Sequence, residues 1–278
     1  MDEAGARALQ SLHRKFRKTI WRPFIAGIKK YRLIEGGDRI AACVSGGKDS
    51  FLLALLLREL ARHSPEPFGL RFVTMDPGYG DGDLALIRAN AGLFGIELDV
   101  FETGIFRAVE GMGGSPCYVC ARMRRGHLYS RARELGCNKI ALGHHMSDAV
   151  ETTLMGMLFG SQHQTMMPKL KSRNFAPLEL VRPMYCVAED AIVAWKSHSG
   201  LAFAGCGCPL EKKGCGESPD APAGGSKRRE VKELLGQLKR QGNKRVEKSV
   251  FNSLQMLNLD RAIGYKKGGR EHSFLDDY

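Results

Sequence analysis

The chain has 278 residues, 43% of them hydrophobic, and 42 Lys and Arg against 30 Asp and Glu give it a formal net charge of +12. That apolar content can supply a core for one large α/β domain, or a domain with an added module, which excludes disorder as the default. No run of about 18 apolar residues occurs and the first residues hold no apolar signal core, so membrane-spanning and secreted readings give way to a cytoplasmic one with no membrane partner.

The elements follow in chain order. A basic helix with apolar residues at Leu9, Leu12, Phe16 and Ile20 comes first, interrupted at Pro23. Short apolar runs then read as buried strands: RIAACV from Arg39, LRFVTM from Leu70, ELDVF from Glu97 and KIAL from Lys139. Helix-period runs from Phe51, Asp83 and Arg122 separate them. A later strand, LELVRPM from Leu178, leads to a helix from about Ala188. Alternation of this kind predicts an α/β fold, a doubly wound parallel sheet with helices on both faces and ligands beyond the strand C-termini. GESPDAPAGGS, ending at Ser226, reads as a flexible linker, and basic helices are expected from about Lys227 and Lys244.

Charge divides along this order. Residues 1–33 carry +7 and residues 227–270 carry +9, so the remainder sums to −4. Basic ends around a mildly acidic centre are the footprint of a polyanionic partner, with Arg14, Lys15 and Lys18 at one end and Arg228, Arg229 and Lys232 at the other as its expected contacts.

The first strand ends in Ser45, Gly46, Gly47, Lys48, Asp49 and Ser50. Adjacent glycines let backbone N–H groups close on an anion, the serines add hydroxyls, and the following helix offers its N-terminus. This is a nucleotide-phosphate cradle. A Walker loop would place Ser or Thr directly after the lysine, where this chain has Asp49.

The eight cysteines point to metal or catalytic chemistry more than to disulfides. Cys117 and Cys120 form a CxxC just before the basic run ARMRRG, and Cys206, Cys208 and Cys215 form a late group. Zinc sites, iron–sulfur sites and redox dithiols all use CxxC spacing. Four thiolates would make a closed structural zinc site, whereas three would leave a cluster with one iron open to chemistry. Cys43, Cys137 and Cys186 read as small buried residues.

KIALGHHMSDAVETTLMGMLFG, MMPKL and RPMYC complete the pattern. Together with SGGKDS, PCYVCARMRRG and the late cysteines, over residues 10–260, the chain resembles the tRNA 2-thiocytidine synthetase family, ATP-pyrophosphatase-loop (PP-loop) enzymes that use an iron–sulfur cluster. The resemblance implies a 4Fe-4S cluster on Cys117, Cys120 and Cys208, with Cys206 or Cys215 as alternatives for the third ligand. It implies ATP on Ser45 to Ser50 with Gly143 and Asp148, and Mg²⁺ on Asp49 or Asp148. Lys48 and Arg124 would offset charge on phosphate. After GHH the family commonly has a basic residue and two acids, where this chain has Met146, Ser147 and the single acid Asp148.

The implied function is ATP-dependent thiolation of tRNA at C2 of a pyrimidine, cytidine foremost, with sulfur from a cysteine desulfurase system or sulfide and a homodimer as an assembly to consider. A 2-thiouridine synthetase, a lysidine-type or amide-forming relative and a zinc-bearing RNA-binding protein are the alternatives. The expected domains are a basic helical segment at 1–33, the PP-loop domain with the cluster site at 34–208, an insert at 209–226 and a basic helical segment at 227–278.

Overall fold

All five expected strands join one sheet in the computed structural model, which describes residues 1–109, 116–205 and 227–276, apart from the side chains of residues 81 and 116–118. They are β1 (Arg39–Cys43), β2 (Gly69–Asp76), β3 (Leu98–Glu102), β4 (Lys139–Ala141) and β6 (Glu179–Val181). A sixth, β5 (Lys169–Lys171), completes the order β3-β2-β1-β4-β6-β5 as an antiparallel edge. Its Lys-Leu-Lys sequence gives no apolar run, and a short charged strand suits an open edge.

The other pairs are parallel, so the fold is the doubly wound sheet expected. From β1 the chain builds outward to β3, then returns to β4 on the other side of β1. The loops after β1 and β4 therefore diverge at the switch point where such sheets bind ligands.

Side-chain alternation explains why β1 reads as a continuous apolar run. Ile40, Ala42 and Val44 pack into one core with Leu12, Phe24, Phe51 and Trp195, and Ala41 faces a second core with Tyr129, Ala132 and Leu180. A strand covered on both faces has no polar side to show. Cys43 and Cys137 belong to that second core, and desolvation pushes the Cys43 thiol up to about 12.

The helices that cover the sheet are α1 (Glu3–His13), α2 (Arg22–Tyr31), α3 (Lys48–His63), α4 (Asp81–Phe94), α5 (Ile105–Val109), α6 (Pro116–Glu134), α7 (Met146–Gly160) and α8 (Glu189–Ser199). Pro23 starts α2 instead of interrupting a longer helix, because a missing N–H costs nothing in the first turn. The interruption falls earlier, between α1 and a π-helical turn at Arg17–Trp21. Helix α6 also begins sooner than expected and includes positions 117 and 120.

The chain divides into two compact units, Met1–Ala149 with Met166–Ser226, and Val150–Thr165 with Lys227–Tyr278. In the first, α1, α2 and the turn between them bring Leu12, Phe16, Ile20 and Phe24 into the main core, so the basic N-terminal segment is also a packing element. A buried ion pair locks the same unit: Lys139 Nζ donates to Asp38 Oδ2 at 2.6 Å and to the Leu33 carbonyl at 3.1 Å. The second unit holds α9 (Lys227–Arg240), α10 (Val246–Ser253) and a hairpin of β7 (Gly264–Lys267) and β8 (Arg270–Ser273). Arg228 lies 3.5 Å from buried Glu151 there. Among the described residues no helix is long and apolar enough to cross a membrane. The expected insert at 209–226 lies outside the described residues.

Candidate active site

The turn after β1 takes its shape from three residues. Gly46 has φ +92, and a Cβ there would stand 2.7 Å from Ile87 and 3.0 Å from Ala204, so both conformation and space require glycine. Ser50 spends its hydroxyl inside the loop, accepting from the Ser45 N–H at 3.1 Å and donating to the Gly47 carbonyl at 2.9 Å. Gly47 then caps α3 with no side-chain hydrogen bond, which leaves the first amides of that helix available to an anion.

The β4 loop seals the turn from below. A Cβ on Gly143 would meet the backbone of Asp49 and Ser50 at 3.2–3.3 Å, so this glycine lets two loops touch through their main chains. The Asp148 carboxylate accepts from the His145 N–H at 2.9 Å and lies 3.5 Å from His145 Nδ1, reaching back over the start of α7 as in a capping box. Buried His145 also stands 3.9 Å from Asp49 Oδ1, between the two acids but beyond hydrogen-bond reach of Asp49.

An open cleft of about 380 Å³ lies above, lined by Ser45, Gly47, Lys48, Asp49, Tyr79, Arg124 and Lys196, with Phe203 to Gly205 on one side. Lys48 Nζ sits 3.0 Å from Asp49 Oδ2 and 3.4 Å from Glu189 Oε1. Asp49 Oδ1 is a buried oxygen with no hydrogen-bond partner, which fits a carboxylate shaped to receive a cation such as Mg²⁺. Arg124 places its guanidinium 5.4 Å from the centre of the Phe106 ring, and its buried Nε is likewise without a hydrogen bond. A cation held by a ring and pointed into a cleft suits phosphate.

Of the expected residues, Ser45, Gly47, Lys48, Asp49 and Arg124 line the cleft, Gly46, Ser50 and Gly143 shape its floor, and Asp148 stands behind His145. Glu189, His145, Tyr79 and Lys196 were not expected. A histidine beside GHH's first one and an acid opening α8 were visible in the sequence, but only the tertiary arrangement brings them to the loop.

Cys120 is buried four residues before Arg124, among Met75, Ile105, Phe106 and Val109. An apolar shell of this kind suits a metal–thiolate centre by limiting solvent access. Positions 117 and 120 lie within one turn of α6. The side chain of Cys117, and Cys206, Cys208 and Cys215 altogether, lie outside the described residues. The described chain leads toward that late group from the cleft itself, where the Ala204 N–H donates to the Gly46 carbonyl at 3.1 Å and Gly205 lines the wall.

A PP-loop domain model matches residues 12–205. Two curated relatives are each named tRNA-cytidine(32) 2-sulfurtransferase. The one from Syntrophotalea carbinolica is 40% identical over 67% of this chain and 73% of its own length. The one from Geobacter metallireducens is 35% identical over 85% of this chain and 90% of its own. Among solved structures, the U34-tRNA thiolase NcsA from Methanococcus maripaludis, described with its 4Fe-4S cluster, aligns with TM-score 0.64 at 20% identity, over 88% of this chain and 80% of that one. At that identity the likeness bears on the fold.

Proposed function

We propose that this chain, which belongs to the tRNA-cytidine(32) 2-sulfurtransferase family of PP-loop proteins, is an ATP-dependent tRNA thiolase that replaces the C2 oxygen of cytidine 32 by sulfur. The observation that carries the reading is the composition of the cleft wall. The phosphate loop, the helix bearing the CxxC and the segment leading to the late cysteines all border one space.

The chemistry divides among the residues. A carbonyl oxygen is a poor leaving group until it carries a phosphate. Attack of the cytidine O2 on the α-phosphorus of ATP forms an O–P bond and breaks the bond to the β-phosphate bridge, releasing pyrophosphate. The α3 amides, Lys48 and Arg124 face that departing charge, and Asp49 would hold Mg²⁺ through its unpartnered oxygen. His145, set between Asp49 and Asp148, holds the Asp148 carboxylate through its backbone N–H. Cys117, Cys120 and Cys208 would hold a 4Fe-4S cluster, whose chemistry would be to supply the sulfur as hydrosulfide. When sulfur bonds to C2, the oxygen leaves on AMP.

We take residues 34–208 as the catalytic segment and 1–33 and 227–278 as basic flanks that grip tRNA in the cytoplasm. Arg228 is a poor choice for that grip because it is engaged with Glu151 and Thr152, whereas Arg229 is exposed. A cysteine desulfurase system or sulfide supplies sulfur in this reading, and a homodimer is compatible with it. The test is labelled ATP with substrate tRNA under exclusion of oxygen. AMP, pyrophosphate and 2-thiocytidine are the expected products; ADP and phosphate, or 2-thiouridine, would overturn the reading.

A further inference from the structure

The mildly acidic centre of the sequence hides a second cationic site. A cleft of about 550 Å³, lined by the early residues of β2 and β3, carries Arg58, Arg62 and Arg71 on its walls, with Leu70, Phe72 and Leu98 among the apolar residues. It lies toward the strand N-termini, the opposite edge of the sheet from the phosphate loop. Arg71 and Arg39 both bear electrostatically on Cys137, so the cationic band continues from the cleft to the start of β1.

None of these four arginines makes an ion pair with a carboxylate among the described residues. The nearby acids are engaged elsewhere. Asp99, in the cleft lining, takes Arg131 at 2.7 Å and 2.8 Å; Glu59 takes His13 and His63 at 2.9 Å and 3.1 Å; Asp38 takes Lys139 at 2.6 Å. Glu97 is exposed on the same lining. Arg58 Nη1 is buried with no hydrogen-bond partner. Burial and then the Arg62 charge hold its guanidinium below the ordinary arginine value, and the Glu59 charge offsets them only in part.

Folding does not require such an arrangement, since a buried guanidinium nitrogen without a partner and clustered like charges both oppose it. Guanidinium forks match phosphate oxygens in pairs, and a band of them with apolar walls between suits a phosphodiester chain. We infer that this arginine-lined cleft is a second docking site for the tRNA backbone, remote from the phosphate loop. The inference rests on the tRNA-thiolase reading and assigns part of the RNA grip to the PP-loop unit itself.

The experiment uses the full chain with both exposed arginines changed, Arg62→Ala and Arg71→Ala, and measures tRNA affinity across a salt series. Each lost phosphate contact should reduce the slope of log K against log salt by about 0.9, so the double variant should fall by roughly 1.8 and bind tRNA more weakly at every salt concentration. ATP affinity and melting temperature should match the wild type. Arg58→Gln, judged by the same slope beside its melting temperature, gives a second reading at the buried position. Wild-type slope and affinity in the double variant overturn the inference, as would loss of binding to an acidic protein partner with tRNA binding intact. A wild type that binds no tRNA overturns the functional reading as well.

Discussion

Glu189, the first residue of α8, reaches Lys48, the first residue of α3, at 3.4 Å, while Asp49 takes the same ammonium at 3.0 Å from the other side. The lysine charge is shared between two carboxylates, which leaves Asp49 Oδ1 uncommitted. Removing the Glu189 charge should let Lys48 settle on Asp49 and compete with Mg²⁺. We expect Glu189→Gln to weaken Mg·ATP binding by about fivefold, the scale of one partly exposed ion pair. In a Lys48→Met background the same change should have little effect. A cycle measured by calorimetry checks this, and equal losses in both backgrounds would make Glu189 a structural residue only.

Gly46→Ala should remove nucleotide binding and cost stability together. The added methyl meets Ile87 at 2.7 Å, and the residue must hold φ +92. A loss of about 1–3 kcal/mol in urea unfolding is expected, since strain and overpacking each reach that range. Gly47→Ala is the control, because no atom lies within 4 Å of a Cβ there; its fold should stand, and only ATP affinity should change.

Cys120→Ser and Cys208→Ser should each abolish the visible absorbance and iron content of anaerobically purified protein, whereas Cys206→Ser and Cys215→Ser should keep them. A colourless, fully active wild type with one zinc per chain would contradict the cluster assignment.

The Asp38–Lys139 pair predicts an acid limit. Burial raises the Asp38 carboxyl, but hydrogen bonds from Lys139, the Glu35 N–H and Asn138 outweigh it and leave the group below its ordinary 3.8. A depressed carboxyl adds stability that is fully present above 3.8 and is lost as pH falls through the folded value. Lys139→Met should cost about 3–5 kcal/mol at neutral pH by stranding the buried carboxylate. It should also flatten the decline in urea midpoint below pH 4, and an unchanged decline would assign the acid limit elsewhere.

The strands and the loop were legible in the sequence because a strand buried on both faces writes itself as an apolar run and a phosphate loop needs glycine where its backbone turns. β5 was not, since Lys169–Lys171 pairs on one side only and carries no apolar signature. Glu189 and His145 escaped notice for another reason. Their roles depend on distances between α3, α7 and α8, and no local pattern encodes the meeting of three helix starts. The arginine cleft was masked by averaging, for its charges are balanced in the sequence by acids that the fold pairs with other partners.

The uncapped start of α3 has a consequence for the protein's tolerance of heat. Since no side chain closes that helix end, any anion seated on it favours the folded chain over the unfolded one. A nucleotide present at 100 times its dissociation constant would add about 2.7 kcal/mol to folding stability. The enzyme's thermal endurance would then follow the nucleotide supply of its surroundings, so that depletion of ATP both halts the reaction and softens the catalyst.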